Sequence, residues 1–357
     1  MVETLISSMK KNSYGVSAWF DKHLKRIPVP LLTSVTIRGG DVKIAPVDIQ
    51  LFPTGLSNLC KTDLKTAPKL LKLYFKQYHS DIPRLKKILL LATVEESNPF
   101  YYDHIHTLAL LLKKGNYQVE IGTLEPIEAP VSLKTHAGET VRIVPTSVEH
   151  RRLHAGSFDP HFILVTHAFT PLVTSKLTDV VQTLSPPLKM LSTTRPTKHR
   201  KSDYFSIFNR LADEFSAIIS IDPWLLRTEF QIETHVNFDE KNGIEKVAKS
   251  AEILLGIMGM KYKEYGIKTP PAVRIVNNAG TYGMGMLSVR SSGELASLFV
   301  KKKIKKQGVK GSSIINDVLI REEIPQTPTF DEANGETVIY LIGNEVLGGY
   351  VKTYAEI

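Results

Sequence analysis

The sequence predicts an α/β protein, and three features carry that reading. Short apolar runs of strand length alternate with segments of helical periodicity through roughly residue 235. Past Pro270–Pro271 the pattern changes to strands around a glycine-rich stretch, "VRIVNNAGTYGMGMLSV" (273–289). Hydrophobic residues make up 42% of 357, enough to bury a sizeable core in two domains or one large one.

The elements follow in order. "KKILLLATV" (86–94) is a continuous apolar run and reads as a buried strand. "YYDHIHTLALLLKKGN" (101–116) has apolar residues at helical spacing, with Gly115 as its stop. "YQVEIGTL" (117–124) and "PHFILVTHAF" (160–169) read as strands, and "TPLVTSKLTDVVQTL" (170–184) as a helix. Long amphipathic helices are expected over 199–219 and 241–266. "AVRIVNN" and "MLSVRS" flank the glycines as strands, and 291–306 reads as a helix opened by Ser291 and Glu294 at capping-box spacing. "SIINDVLIREEI" (313–324) is a strand, and 336–356 reads as two strands around Asn344–Glu345. A soft boundary near residue 237 divides an α/β N-terminal domain (1–236) from a C-terminal domain (237–357).

Bulk chemistry narrows the function. One cysteine, Cys60, permits no internal disulfide and favours a reducing compartment. The N-terminus has no long apolar segment and no run approaches bilayer length, so a cytoplasmic protein with no membrane partner is expected. The net charge of +9 favours anionic partners, with basic clusters at 195–201 and 301–306. Neither cluster interleaves aromatics and no nucleic-acid-binding motif appears, which disfavours nucleic acid.

Gly280, Gly283 and Gly285 leave backbone N–H groups able to approach an anion. The spacing lacks the Gly-Lys-Ser/Thr of a Walker loop, and the stretch opens a strand where a dinucleotide fingerprint opens a helix. A flexible hairpin is the plain alternative. His150 and His154 have helical zinc-ligand spacing, but Arg151 replaces the catalytic glutamate, so a surface helix is expected there. His104 and His106, two apart on a helix, do not face each other. Cys60 reads as a small core or loop residue and Trp224 as core.

"AGTYGMGM" (279–286) resembles the nucleotide loop of the proteobacterial class of glutamate–cysteine ligase, an ATP-grasp family. "APVDIQLFPTGLSNL" (45–59), "IDPWLL" (221–226), "KYKEYGI" (261–267), "NDVLIREEI" (316–324) and "VIYLIGNEVLGGYVK" (338–352) are similar to further motifs of that family, in the same order. The resemblance implies an ATP-grasp-like C-terminal half and ATP-dependent joining of glutamate to cysteine through an acyl phosphate, with ATP and Mg2+ required. It implies that Gly280, Thr281, Tyr282, Gly283 and Gly285 close over the phosphates. Arg321 and Glu322 then fall at the adenine-side hinge, Lys352 stands for a family arginine aimed at transferring phosphate, and Asp48 and Asn58 recognise amino acid.

The departures carry equal information. The family lysine before the loop aligns with Val276 and its aspartate with Asn278. Arg274, two residues earlier on the same strand face, is expected to substitute for the lysine. A hinge glutamine becomes Arg321, which cannot accept a bond from an adenine amino group. "VTHAF" leaves His167 where the family has Asn-Asn-Asp, and "EESNP" puts Glu95 and Asn98 in place of His-Thr-Arg-Asn. The family's Glu-Asn-Leu-Asn segment lies beyond the last residue, Ile357, so Glu336 and Glu356 are the remaining candidate magnesium ligands. Two other functions stay open on sequence alone: an inactive relative that binds nucleotide or amino acid in a regulatory role, and a basic nucleic-acid-associated protein. Oligomeric state is not encoded in any motif.

Overall fold

The structure is a computed structural model, and it describes residues 2–25, 27–40, 42–96, 98, 100–191, 200–238, 240–278, 287–295, 317–324 and 334–354. The chain opens with two helices that the sequence reading did not anticipate, α1 (Val2–Lys11) and α2 (Ser13–Leu24). Neither contains a buried residue. Strands β1 (Leu32–Gly39) and β2 (Ile44–Gln50) follow, then a turn at Leu56–Asn58 and helix α3 (Lys61–Tyr78). Cys60 is exposed and caps α3, its Sγ accepting from the Asp63 amide.

Next come β3 (Lys87–Leu91), α4 (Tyr101–Lys114), β4 (Gln118–Thr123), β5 (Val131–Lys134), β6 (Thr140–Pro145), β7 (Ser147–Glu149), β8 (Arg152–His154) and β9 (Phe162–Val165). The chain continues through α5 (Pro171–Ser175), β10 (Thr183–Ser185), α6 (Leu188–Leu191) and α7 (Lys201–Ile219). It ends with β11 (Phe230–Thr234), α8 (Lys241–Glu264), β12 (Val273–Asn277), β13 (Leu287–Val289), β14 (Asp317–Glu322), β15 (Asn334–Ile342) and β16 (Glu345–Tyr354).

Among the described residues three larger sheets and the two-stranded β7–β8 ribbon organise these elements. The first has the order β10-β9-β3-β4-β6-β5 and is parallel except for β5. Its central strands β3 and β9 are near-continuous apolar runs because both faces are covered. Ile88 and Leu90 pack under α3 and α4, while Leu89 and Leu91 pack with Leu153, Val165, Phe169 and Leu177. The second sheet, β16-β15-β1-β2, and the third, β11-β14-β12-β13, are wholly antiparallel. Helix α8 covers one face of the third sheet through Val247, Ala251, Leu254 and Met258. Phe205 of α7 meets Val276 and Leu319 on the other.

The α/β class expected from sequence therefore holds, but the boundary near 237 does not partition the sheets. β1 pairs with β15, and β11 pairs with β14, so both antiparallel sheets draw strands from each side of that line. Strand pairing is set by face polarity and register, which a contiguous cut cannot represent.

Two local expectations are corrected. The helix expected over 170–184 stops at Ser175, and Thr183–Ser185 joins β9 as a parallel strand. Tertiary bonds override local propensity here. The Gln182 side-chain amide accepts from Leu153 N and donates to Leu153 O, both at 2.8 Å, and Val181 N donates to Arg151 O. His150 and His154 lie on the β7–β8 hairpin, with His150 and Arg151 at φ 49° and 62° forming its turn. A turn of that hand matches the twist of paired strands.

Candidate functional site

Strand β1 inverts the usual polarity of a half-buried strand. Ser34, Thr36 and Arg38 are buried, while Val35 and Ile37 on the opposite face are partly exposed. Buried polar side chains at period 2 require partners. Arg38, only 4% exposed, finds them at the corner where the second and third sheets meet. Its Nε and Nη2 donate to Glu336 at 2.6 and 2.5 Å, and Nη1 reaches Glu323 at 3.4 Å.

The third sheet supplies the other side of the corner. Register aligns Phe230, Arg321, Arg274 and Ser288 in one row across β11, β14, β12 and β13. Arg274 donates to Glu323 Oε1 from Nε at 3.0 Å and Nη2 at 2.9 Å, and Ser288 Oγ bonds the second oxygen. Burial pushes the Glu323 carboxyl up, but Arg274, Ser288 and Arg38 outweigh it and hold the group below its ordinary range. Arg321 is 5% exposed and forms no ion pair among the described residues. Its Nη1 donates to the Glu322 carbonyl. Burial, with Arg274 and Arg38 nearby, pushes its guanidinium down to about 10.

Helix α7 closes the corner. Asn278 sits at the end of the strand that leads into the glycine stretch and is fully buried. Its Oδ1 accepts from Ser202 N at 2.9 Å and its Nδ2 donates to Ser202 Oγ at 3.0 Å. An aspartate there could only accept, so the Ser202 hydroxyl would have to turn and donate. The cap fixes Lys201, whose amide donates to Asn278 O. Burial lowers the Lys201 ammonium pKa, with Asp48 opposing and Arg321 adding to the shift. Thr228 Oγ1 donates to Pro46 O at 2.8 Å and Asn209 of α7 holds Thr228, which ties β2 and its Asp48 to the same corner.

The sequence-derived residues divide accordingly. Arg274, Arg321, Asp48 and Glu336 come together with Arg38, Glu323 and Lys201. Arg274 and Val276 do share a face, since Val276 packs in the row beside it with Leu319. Lys352 is exposed on β16 directly opposite Glu336. The Glu322 carboxylate turns to the α8 side of the sheet and pairs with Lys43 at 2.7 Å. Asn58 is exposed beside Gly55, whose φ of +86° and closeness to Tyr350 and Tyr340 exclude a side chain. Gly280, Thr281, Tyr282, Gly283, Gly285, Glu356 and Lys301–Lys306 lie outside the described residues.

Glu336 is also corrected as a magnesium ligand. Its carboxylate is engaged by two donors of Arg38, and no group of three His, Cys, Asp or Glu side chains suited to a metal exists among the described residues. Among the described residues Glu336, held by Arg38, therefore does not fit Mg2+ as a ligand.

Sequence reasoning missed Arg38, Glu323 and Lys201. The available signal was the Ser-x-Thr-x-Arg alternation against Val and Ile in β1, while Lys201 was absorbed into a cluster taken for a solvated face.

A second polar group lies at the carboxyl ends of β3, β4 and β9. The strand order reverses at β3, with β4 on one side and β9 on the other, the place where open α/β sheets commonly leave a crevice. Glu125 accepts from Thr93 Oγ1 at 2.5 Å and Val94 N at 2.7 Å, and His167 lies 3.7 Å from Glu96. Burial lowers the His167 pKa despite Glu96 and Glu125.

His104 is structural. It is buried on α4, its Nδ1 accepts from Leu56 N, and burial pushes its pKa down to about 4. The unfolded chain binds this proton more tightly, so the stability conferred by neutral His104 is present above about pH 6.5 and is lost as pH falls toward 4. His104→Asn, which keeps an acceptor, should therefore flatten that acid limb in urea titrations by up to about 3 kcal/mol.

No curated protein sequence matches the chain. Among solved structures, a protein of Methylobacillus flagellatus KT assigned as a gamma-glutamylcysteine synthetase superposes with a TM-score of 0.86 at 30% identity, covering 99% of this chain and 82% of that one. A glutathione synthetase-like effector of Globodera pallida gives a TM-score of 0.44 at 10% identity over 99% and 84%, too distant to carry argument. Among the described residues no helix is long and apolar enough to cross a membrane. The family model described as glutamate-cysteine ligase matches residues 7–356, and the chain belongs to that family.

Proposed function

We propose that this chain joins the γ-carboxylate of glutamate to the amine of cysteine at the expense of ATP, the corner between the two antiparallel sheets being the reaction site. The observation that carries this is the row of Arg274 and Arg321 beside Arg38, Glu323 and Glu336, built on the strand that leads into the glycine stretch. A carboxylate is a poor acyl donor. Phosphorylation by ATP supplies a leaving group, and cysteine then expels phosphate. The protein's task is to hold polyanion and carboxylate together in a water-poor site.

In this reading the amides and side chains of Gly280, Thr281, Tyr282, Gly283 and Gly285 cover the phosphates. Arg274 and Lys352 offer charge to the phosphoryl group being transferred, in an ATP-grasp-like arrangement. Glu323 holds Arg274 in place and restrains its side chain before any ligand arrives. Mg2+ enters no step here, because Glu336 is committed to Arg38.

Arg274→Ala should weaken ATP binding about 10- to 100-fold, as loss of a charged hydrogen-bonding group commonly does. Unchanged affinity by calorimetry would remove Arg274 from the nucleotide site. Phosphate release from ATP should require glutamate and rise with cysteine. A second reading, a relative that binds nucleotide without turnover, is favoured by the engagement of Glu336. Tight ATP binding with no amino-acid-dependent phosphate release would select it.

A further inference from the structure

Four polar side chains lie where the first turn of α7 faces β2 and β14, and two of them, Arg321 and Tyr204, hold buried groups that lack a full partner among the described residues. Arg321 is a buried guanidinium without an ion pair among the described residues. Lys201 and Asp48 likewise form no ion pair there; Asp48 bonds only the Ile49 amide and Gln50. The Tyr204 hydroxyl is buried with no hydrogen-bond partner among the described residues. A buried hydroxyl left unpaired costs about 1–3 kcal/mol, and a lone buried guanidinium more.

The elements hold these groups in fixed relation. Phe230 is the strand neighbour of Arg321, and its ring lies 5.9 Å from Phe205, itself 5.1 Å from Tyr204. The Thr228–Pro46 bond docks β2 against this packing. The groups are close enough to act on one another: Asp48 on both Lys201 and Tyr204, and Arg321 on Lys201.

We propose that Asp48, Lys201, Tyr204 and Arg321 form a subsite for the head group of an α-amino acid. Asp48 takes the ammonium, Arg321 and Lys201 take the carboxylate, and the Tyr204 hydroxyl donates to that carboxylate. A nucleotide phosphate would satisfy the two cations but would face Asp48 with like charge. A zwitterion satisfies both signs, and a planar guanidinium matches a carboxylate bidentately. The assignment rests on the ligase reading and adds which groups select its substrate. Both L-glutamate and L-cysteine carry this head group, so the experiment separates them.

The test is calorimetric titration of the full chain with L-glutamate, L-cysteine, glutarate and ATP, alongside steady-state KM values. Asp48→Asn should cut affinity for one of the two amino acids about tenfold or more while leaving glutarate, which lacks the ammonium, unchanged. Tyr204→Phe should weaken the same amino acid about fivefold without lowering the Tm, since it removes an unpaired buried hydroxyl. A merely structural role for Tyr204 would leave binding unmoved. Equal loss of glutamate and glutarate in Asp48→Asn, or loss of ATP affinity with amino-acid affinity intact, would overturn the subsite. Wild-type amino-acid binding with this discrimination but no turnover would retain the subsite and reject the ligase. Turnover with unaltered variant KM values would do the reverse.

Discussion

Lys43→Met will destabilise the protein by about 3–5 kcal/mol, the scale on which breaking one side of a buried ion pair acts. Lys43 and Glu322 are both essentially inaccessible, at 2% and 0% side-chain exposure, and meet at 2.7 Å. The ammonium also sits 4.0 Å from the centre of the Trp224 ring, and that tryptophan is buried in the apolar cluster under α8, as expected from sequence. Glu322 Oε2 accepts a further bond from Glu229 N at 3.3 Å, while Oε1 has no partner among the described residues. Methionine fills the stem of Lys43 but leaves this carboxylate uncompensated.

Burial drives Glu322 up and Lys43 down, and their attraction opposes both shifts. Without Lys43 the Glu322 pKa should rise further. A carboxyl whose folded pKa is raised favours folding when protonated, so the deficit should shrink as pH falls through that value. Adding Glu322→Leu should recover much of the loss, because an apolar pair can replace a buried ionic one at little cost. Chemical denaturation of the single and double variants measures each term. A loss under about 1 kcal/mol for Lys43→Met would mean that the pair is solvated.

Arg38→Met will have the largest effect on turnover, a fall of about 10²- to 10³-fold, the range seen when an oriented charge is removed from a reacting centre. Arg38 joins the second sheet to the third, touching Glu336 from one and Glu323 beyond the other. Its loss leaves two carboxylates short of a cation. Glu323, no longer shared, would hold Arg274 alone and more tightly. ATP affinity and kcat should therefore fall together, and measuring both separates this from simple loss of a substrate contact. A variant with normal kcat and ATP affinity but lowered stability would show that the corner is structural.

Much of the fold was legible in the sequence because period and length alone identify elements such as β3, α4, α7 and α8. Where tertiary bonds decide, local pattern fails. Gln182 recruits a strand from a segment with helical periodicity, and the α1–α2 hairpin buries no residue by which a periodic core face could be recognised. The site was partly legible. Arg274 and Asp48 followed from family motifs and strand alternation. Glu322 did not, because its motif position gives no sign of the face its side chain takes, and Lys43 lies far away in sequence. Arg38 and Lys201 carry no motif; their importance arises only when β1, β14 and the start of α7 meet.

The most direct measurement uses glutamate labelled with oxygen-18 in its γ-carboxylate, with ATP and cysteine. Activation at that carboxylate moves one labelled oxygen into each inorganic phosphate released, and mass spectrometry of the phosphate should find it there. Released phosphate carrying only unlabelled oxygen would contradict acyl-phosphate ligation by this chain.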